Sequence, residues 1–367
     1  MFVVLMLAIA SHAARAAHPT LVENLRGEGP NIAAMAVFAG LIEMRSPKQV
    51  IDAWNYQRDV LHFPIEAVFL ELEHTGPDGT EAENFITQAS LNGYSVFVRV
   101  REGDRPRIKG FIEQGAVGVI VPLVTTTEQI KTAWSATFYS GPPPARDVGF
   151  TADTGYLAGR LTLADLFEVD RRKILALMIE RGVAVEKIEE LAAYTATLCD
   201  RYDIHRKQVV FWWGPYDRTA DVSRQALEGW RDAGPITDYD VAQAFEEAEK
   251  TTDNDVLKVS AVIRSYGFSL GGHTMTLQKA VDWSKHRGFN IFTFSGIQTS
   301  LMGGPSVREM LAQPMAAFYL NQLSRRARPD DEVMAEVINR QIERLTSEGW
   351  CVPAVLAAAS KLQAKTN

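Results

Sequence analysis

The chain has 367 residues, 46% of them hydrophobic, and a net charge of −7. This composition can supply the core of one large domain. The acidic balance gives no electrostatic reason to expect nucleic acid as a partner, because such binding depends on clustered cations. Two cysteines exclude a disulfide framework, and their spacing suggests no zinc site. Small-molecule chemistry is favoured.

The amino terminus begins with an apolar run over residues 2–10, which is too short to span a bilayer. The run is typical of a signal-peptide core, and Ala14-Arg15-Ala16 follows it as a cleavage motif, but no Lys or Arg precedes it. Residues 1–17 are interpreted as a signal peptide or a disordered extension. We expect no stable membrane span and favour a cytoplasmic protein, with export as the alternative if residues 1–16 form a signal peptide.

Strand-like apolar runs alternate with amphipathic helical patterns, as expected of repeated β–α units. The predicted strands are Asn31 to Phe38, Ala67 to Glu73, Ser95 to Val100, Gly118 to Val124, Ile174 to Glu180, Val209 to Gly214, Tyr266 to Gly271 and Ile291 to Gly296. The predicted helices include Pro106 to Gln114, Thr127 to Ala136, Glu186 to Tyr194 and Leu277 to His286. Eight strands predict an α/β fold, a (β/α)₈ TIM barrel.

The barrel domain is assigned to residues 18–306, with an acidic insertion near 220–254, after the sixth strand, and a C-terminal helical extension over 307–367. The Pro- and Gly-rich segment from Ser140 to Tyr156 is predicted to be a long loop on the reactive rim of the barrel, where it would form a lid.

Reactive side chains follow several of the apolar runs. Because the carboxyl ends of parallel barrel strands meet at one rim, His74, Arg99, Glu180 and Asp217 are expected to converge. Carboxylates hold hard cations such as Mg²⁺, and arginine binds carboxylates through two parallel hydrogen bonds. We therefore predict a divalent metal on Glu180 and Asp217, and an anionic, oxygen-rich substrate.

The residues around these positions suggest further roles. In Gly214-Pro215-Tyr216-Asp217, the turn can present the amides of Tyr216 and Asp217 to a substrate carboxylate. His74 suits acid/base catalysis near neutral pH.

Two charged residues leave alternatives open. Glu71 would bind water coordinated to the metal, with a merely solvated carboxylate as an equal alternative. The anionic partner of Arg99 is either the substrate or a protein carboxylate.

Taken in order, these motifs resemble the HpcH/HpaI aldolase family, the metal-dependent class II pyruvate aldolases related to citrate lyase β subunits. The resemblance runs from about Thr20 to about Gly304. Besides the rim residues, it is carried by Gly103-Asp104, Ile108-Lys109, Gly118-Val-Ile-Val-Pro-Leu-Val124 and Phe294-Ser-Gly-Ile-Gln-Thr-Ser-Leu301.

The resemblance implies a pyruvate enolate stabilised by Mg²⁺ or Mn²⁺ on Glu180 and Asp217. His74 would handle the proton of the aldol hydroxyl, Arg99 would neutralise oxygen charge, and the turn amides would hold the substrate carboxylate. It also implies a homo-oligomer, commonly a hexamer, in which Glu113 of one subunit supports His74 of another.

Several positions depart from the family pattern. Met178 replaces a frequent Gln that can hydrogen-bond the substrate, Glu71 and Glu113 stand where Asp is usual, and Arg218-Thr219 replaces a frequent Leu-Ser. These departures put the substrate in question more than the fold.

We expect a carbon–carbon lyase that reversibly cleaves a 4-hydroxy-2-oxoacid to pyruvate, or a related 2-oxoacid, and an aldehyde. The alternatives are a malyl-CoA-type acyl thioester lyase, hinted at by the basic cluster from Arg101 to Lys109, and a non-catalytic ligand-binding barrel.

Overall fold

A computed structural model describes residues 35–38, 51, 55, 65–73, 79–101, 104–149, 151–154, 161–231, 237–274 and 283–294. The assignments made for residues 1–17 and for the helical extension over 307–367 lie outside these residues. In the part of the chain that is described, no helix has the length and apolar character needed to cross a membrane.

Eight parallel strands pair in chain order, and the eighth pairs with the first, which closes a barrel. The strands are β1 (Met35–Phe38), β2 (Ile65–Glu71), β3 (Ser95–Arg99), β4 (Gly118–Val121), β5 (Ile174–Ile179), β6 (Val209–Trp213), β7 (Ser269–Thr274) and β8 (Ile291–Phe294). The prediction of an α/β barrel is confirmed for the described residues.

Helices run outside the barrel between the strands. They are α1 (Gly79–Leu91), α2 (Arg105–Glu113), α3 (Thr127–Thr137), α4 (Leu163–Asp170), α5 (Gly182–Glu186), α6 (Ile188–Tyr202), α7 (Pro215–Arg231) and α8 (Asp238–Ser265), with a 3₁₀ turn at Arg206–Gln208 and a π-helical turn at Trp283–Arg287. Threonine capping boxes begin α3, α4 and α8, at Thr126, Thr162 and Thr237. Residues 220–254, assigned to an insertion, contribute to α7 and α8, which pack against each other.

The apolar strand residues alternate between two buried layers. One layer fills the barrel interior and includes Phe69, Phe97, Met178 and Trp212. The other lies between the barrel and the helices. Because both faces of a barrel strand are covered, all six residues of β5 are buried. This explains why the strands read as continuous apolar runs in the sequence.

The described part of the Pro- and Gly-rich segment is anchored near the amino-terminal end of the barrel, through Ser140 and Ala152, so its prediction as a lid on the opposite rim is wrong for these residues. It follows α3, whose carboxyl end lies near the amino ends of the strands. The Asp170 carboxylate, just before β5, accepts hydrogen bonds from the amides of Tyr139 and Ser140, each at 2.7 Å, and from the Ser140 hydroxyl at 2.6 Å. The segment closes the amino-terminal end of the barrel.

Buried charges hold the same segment in place. The side chains of Arg146 and Asp153 are both fully buried and paired with each other. The Arg146 guanidinium lies 3.7 Å from the centre of the Tyr139 ring. Nearby, burial lowers the pKa of Lys173 to about 8, and its ammonium donates to the Ala116 carbonyl at 2.9 Å. These paired charges make this end of the barrel a structural one.

Replacing Asp170 with alanine should destabilise the protein, because the buried amide of Tyr139 and the partly buried amide of Ser140 would lose their acceptor. Each unsatisfied donor costs about 1–3 kcal/mol, and each kcal/mol lowers the Tm by roughly 2–4 °C. Thermal unfolding followed by circular dichroism measures the change. Asp203→Asn is the matched control, since the Asp203 side chain is 96% exposed. A Tm for Asp170→Ala equal to that control would contradict this role.

Candidate active site

An ion-pair cluster occupies the carboxyl ends of β2 and β3. Glu71 and Arg99 are paired in the sheet register, and the Glu71 carboxylate contacts the Arg99 guanidinium. Arg99 Nε lies 3.2 Å from Glu73 Oε2, and the Glu73 amide donates to Glu71 Oε1 at 2.7 Å. Glu71 is 2% exposed. Protein carboxylates therefore orient Arg99, and Glu71 contacts Arg99 and a backbone amide.

A thioether covers another edge of the same guanidinium. Arg99 Nη1 lies 3.9 Å from Met178 Sδ, and Arg99 Cζ lies 5.9 Å from the centre of the Phe69 ring. A thioether is only a weak acceptor. Nη1 can therefore donate to a substrate oxygen more strongly than it does to Met178.

Glu180 follows β5 and is buried at the same rim, with 1% exposure. Its Oε2 accepts a hydrogen bond of 2.9 Å from the amide of Leu123, whose backbone has a positive φ of 55°. A Cβ at Gly214 would lie 2.5 Å from Glu180 Cγ. The glycine is therefore needed to make room for the carboxylate.

The Glu180 carboxyl group lies in an environment that opposes its ionisation. Burial raises its pKa to about 7, the negative charges of Asp217 and Glu73 add to this effect, and the Leu123 hydrogen bond and Arg99 oppose it. The shift caused by Asp217 shows that the two predicted metal ligands are close enough to interact. A divalent cation between them would favour both ionised forms.

The donor set fits a hard cation that keeps open positions. Within the described ranges, no group of three or more His, Cys, Asp or Glu side chains could enclose a metal ion. Two carboxylates suffice for Mg²⁺, which usually completes its coordination with water and substrate oxygens.

The predicted turn forms the start of a helix. Helix α7 begins at Pro215, and Asp217 lies in its first turn. The first N–H groups of a helix have no partner within it, so the amides of Tyr216 and Asp217 are suited to an anion. Proline is well accommodated there, because its missing N–H would be unpaired in any case.

Two of the unusual residues stabilise this helix. Arg218 Nε lies 2.7 Å from Asp255 Oδ2, and Arg218 is 9% exposed. The hydroxyl groups of Thr219 and Thr252 lie 3.1 Å apart. Both contacts join α7 to α8, so these substitutions have a structural explanation.

Residues 55–222 match the family model described as HpcH/HpaI aldolase/citrate lyase. The match covers a little under half of the chain, and over this stretch the chain is similar to HpcH/HpaI aldolases/citrate lyases. The relationship predicted from the motifs is confirmed.

A curated relative and two solved structures accompany the family match. The hydroxypyruvate/pyruvate aldolase of Rhizorhabdus wittichii is 30% identical over 130 residues, which cover 34% of this chain and 51% of that protein. The match thus spans about half of the relative's length.

The structure of an HpcH/HpaI aldolase from Desulfitobacterium hafniense has a TM-score of 0.53 at 19% identity and covers 73% of this chain and 90% of its own. An HpcH/HpaI aldolase/citrate lyase family protein from Burkholderia cenocepacia has a TM-score of 0.52 at 16% identity and covers 79% and 97%. At these identities the two structures support the fold alone.

The remaining predicted site residues are His74 and Glu113. His74 is outside the described residues. Glu113 ends α2, at the amino-terminal side of the barrel, where its carbonyl accepts the Ala152 amide and its carboxylate lies 3.8 Å from Lys109 Nζ. Burial raises the pKa of Glu113. Its role beside a histidine of another subunit stays a prediction.

Sequence analysis missed two residues of the rim. Glu73 was treated as part of a strand end, although it is the second carboxylate beside Arg99. His273 was missed because the seventh strand was predicted to end at Gly271, whereas β7 continues to Thr274. Both residues are polar and follow the apolar part of a strand, and this pattern could have identified them as rim residues.

The Glu180→Gln variant should be more stable than the wild type in metal-free buffer above pH 7. The unfolded Glu pKa is near 4.5 and the folded pKa is about 7. Wild-type stability is therefore reduced fully above pH 7, and this reduction disappears as the pH falls from 7 to 4.5. The Tm advantage of the variant should shrink over the same range.

Thermal unfolding at several pH values in the presence of a chelator measures this difference. Glu190→Gln, which removes an exposed carboxylate on α6, is the control and should show no such trend. A Tm difference for Glu180→Gln that is independent of pH would show that Glu180 does not lie in this environment.

Proposed function

We propose that the protein is a divalent-metal-dependent carbon–carbon lyase. It would reversibly cleave a 4-hydroxy-2-oxoacid to pyruvate, or a related 2-oxoacid, and an aldehyde. The observation that carries this proposal is the meeting of Arg99, held by two carboxylates, with the buried Glu180 and nearby Asp217 at one rim of the barrel.

The charges of the rim support a metal-dependent reaction. Arg99 is in contact with Glu71 and Glu73, and Glu180 interacts electrostatically with Arg99, Glu73 and Asp217. Such an excess of buried negative charge is unfavourable without a cation. Glu180 and Asp217 would hold Mg²⁺ or Mn²⁺, both of which prefer oxygen ligands.

Residues of the chain would bind the substrate, transfer the proton and stabilise the developing charge. The amides of Tyr216 and Asp217 would bind the substrate carboxylate, next to Gly214 and Pro215. His74 would accept the proton of the C4 hydroxyl as the C3–C4 bond breaks and the aldehyde forms. The bonding electrons move toward the C2 oxygen, where Arg99 Nη1 would donate a hydrogen bond to the developing charge. When bound, the metal would supply Lewis-acid stabilisation of that same charge.

The relative from Rhizorhabdus wittichii supports a small 2-oxoacid as the nucleophilic partner, because its name specifies hydroxypyruvate or pyruvate. We propose the same class of donor here.

The structure gives less support to the malyl-CoA-type alternative. The basic residues that suggested it have partners in the chain: Lys109 lies 3.2 Å from Asp147, Arg107 lies 3.1 Å from Asp104, and Arg105 donates to the Pro144 carbonyl at 3.0 Å. These contacts occupy basic groups that a phosphorylated carrier would otherwise use.

We also propose a homo-oligomer, on the resemblance to hexameric family members. In one chain, Glu113 lies at the opposite end of the barrel from Glu180, so a role at the rim would be played at the rim of another subunit. Its side chain is 21% exposed, which leaves it accessible for such a contact.

Aldol cleavage should depend on a divalent ion. Pyruvate release from a panel of 4-hydroxy-2-oxoacids, coupled to lactate dehydrogenase, should be lost after chelation and restored by Mg²⁺ or Mn²⁺. Asp217→Asn should weaken metal binding measured by calorimetry, whereas Asp221→Asn on the same helix should not. Full activity in metal-free protein would overturn the proposal.

Arg99→Lys should lower kcat/KM by about 10²-fold or more, because an ammonium cannot contact two carboxylates and a substrate oxygen in one plane. Metal affinity should change much less than the rate. Arg107→Lys is the control, since the Arg107 side chain is 49% exposed. A steady-state rate for Arg99→Lys equal to the control would assign Arg99 to structure alone.

A further inference from the structure

His273 lies on the inner face of the barrel near its carboxyl rim. The alternation of β7 establishes its direction. A Cβ at Gly271 would meet the interior residues Trp212 and Val210, whereas one at Gly272 would meet Phe289 and Trp283 outside the barrel. Since side chains two residues apart share a face, the imidazole of His273 lies on the interior side with Trp212.

Along the hydrogen-bonding register of the sheet, His273 is two strands away from Glu180. Met178 pairs with Trp212, and Trp212 pairs with Gly271. Two residues further along the three strands lie Glu180, Gly214 and His273. Gly214 has no side chain, and the Glu180 side chain occupies the space beside it, so Gly214 places no side chain between the histidine and the buried carboxylate.

The surroundings of His273 keep the imidazole neutral. Burial lowers its pKa to about 4, and the positive charge of Arg99 lowers it further. A neutral imidazole has one N–H donor and one acceptor nitrogen. It therefore suits an uncharged hydrogen-bonding group, such as a hydroxyl, better than a second carboxylate.

The place of His273 indicates which part of a substrate it would meet. Arg99, Glu180 and the amides of α7 would bind the 2-oxoacid half, deep in the barrel mouth, whereas the aldehyde enters from the solvent side. His273 is close enough to Arg99 to interact with its charge, which places it near this first half. On the β5 side, Met178 presents a thioether, which offers a hydroxyl only a weak acceptor.

We propose that His273 determines donor specificity, favouring a 2-oxoacid that carries a hydroxyl on C3 over one with an apolar group there. This inference rests on the proposed function, and it assigns to His273 a contact with the donor rather than a proton-transfer step. Hydroxypyruvate and 2-oxobutyrate are suitable probes, because they have nearly the same size and differ in a hydroxyl against a methyl group.

Exchange of the C3 hydrogens in D₂O, followed by proton NMR, tests donor activation without any aldehyde. Rates with Mg²⁺ are measured for pyruvate, hydroxypyruvate and 2-oxobutyrate, with enzyme-free reactions subtracted. The wild type should prefer hydroxypyruvate to 2-oxobutyrate in kcat/KM. In His273→Leu this ratio should fall by about 3- to 10-fold, the effect of losing one neutral hydrogen bond. Calorimetric Kd values for the two acids should shift in the same direction.

Three further variants complete the experiment. His273→Asn keeps a donor and an acceptor and should retain more of the preference than His273→Leu. His205→Leu changes an exposed histidine before β6, at the other end of the barrel, and should leave the ratio at the wild-type value. His273→Met replaces the leucine variant if thermal unfolding shows that leucine prevents folding.

The possible results separate the two proposals. If the wild type exchanges none of the three acids in a metal-dependent way, the proposed function fails. If it exchanges them but the hydroxypyruvate to 2-oxobutyrate ratio is the same in His273→Leu as in the wild type, the function stands and the role of His273 is overturned.

Discussion

The carboxyl rim concentrates charge at the end of an apolar barrel. Glu71 and Glu180 are 2% and 1% exposed, and removing carboxylates from water costs several kcal/mol for each ion unless they are paired. Arg99 compensates Glu71 and Glu73 through direct contacts. Among the described residues, Glu180 accepts a hydrogen bond from the Leu123 amide. The charge of Arg99 is therefore compensated by protein carboxylates, whereas the negative charges of Glu180 and Asp217 lack a comparable cationic contact in the described residues.

This difference divides the rim into two parts with separate tasks. The Arg99 cluster is preorganised, because its carboxylates hold the guanidinium before any substrate arrives. Around Glu180, burial of the carboxylate and its repulsion by Asp217 are unfavourable, and a bound cation would relieve both. Groups with strongly shifted pKa values of this kind are common at binding sites. At the opposite end of the barrel, the buried charged groups of Asp170, Arg146 and Lys173 each have hydrogen-bonding partners. The chain thus separates stability from chemistry along the barrel axis, as other barrels do.

Much of the barrel could be predicted from sequence because its strands are covered on both faces and appear as unbroken apolar runs. The position of the segment after α3 could not, since Pro and Gly indicate a loop but not the end of the barrel at which it lies. That position depends on Asp170, a distant residue whose hydrogen bonds to Tyr139 and Ser140 leave no local pattern. The sequence could not predict that Arg99 pairs with Glu71 either, because this contact depends on the register between β2 and β3. His273 was missed because two glycines obscure the end of β7.

Those two glycines have different neighbours, and the difference links the fold to specificity. Gly271 leaves space that the Trp212 ring occupies, while Gly272 leaves space for Phe289 and Trp283. Large aromatic side chains on both faces thereby hold β7 close to its neighbours. The first side chain beyond them on the inner face is His273, so its imidazole lies above a floor formed by Trp212. A polar group on a rigid apolar floor discriminates between substrates more strongly than one on a mobile loop, because the protein cannot relax to hide an unsatisfied hydrogen bond.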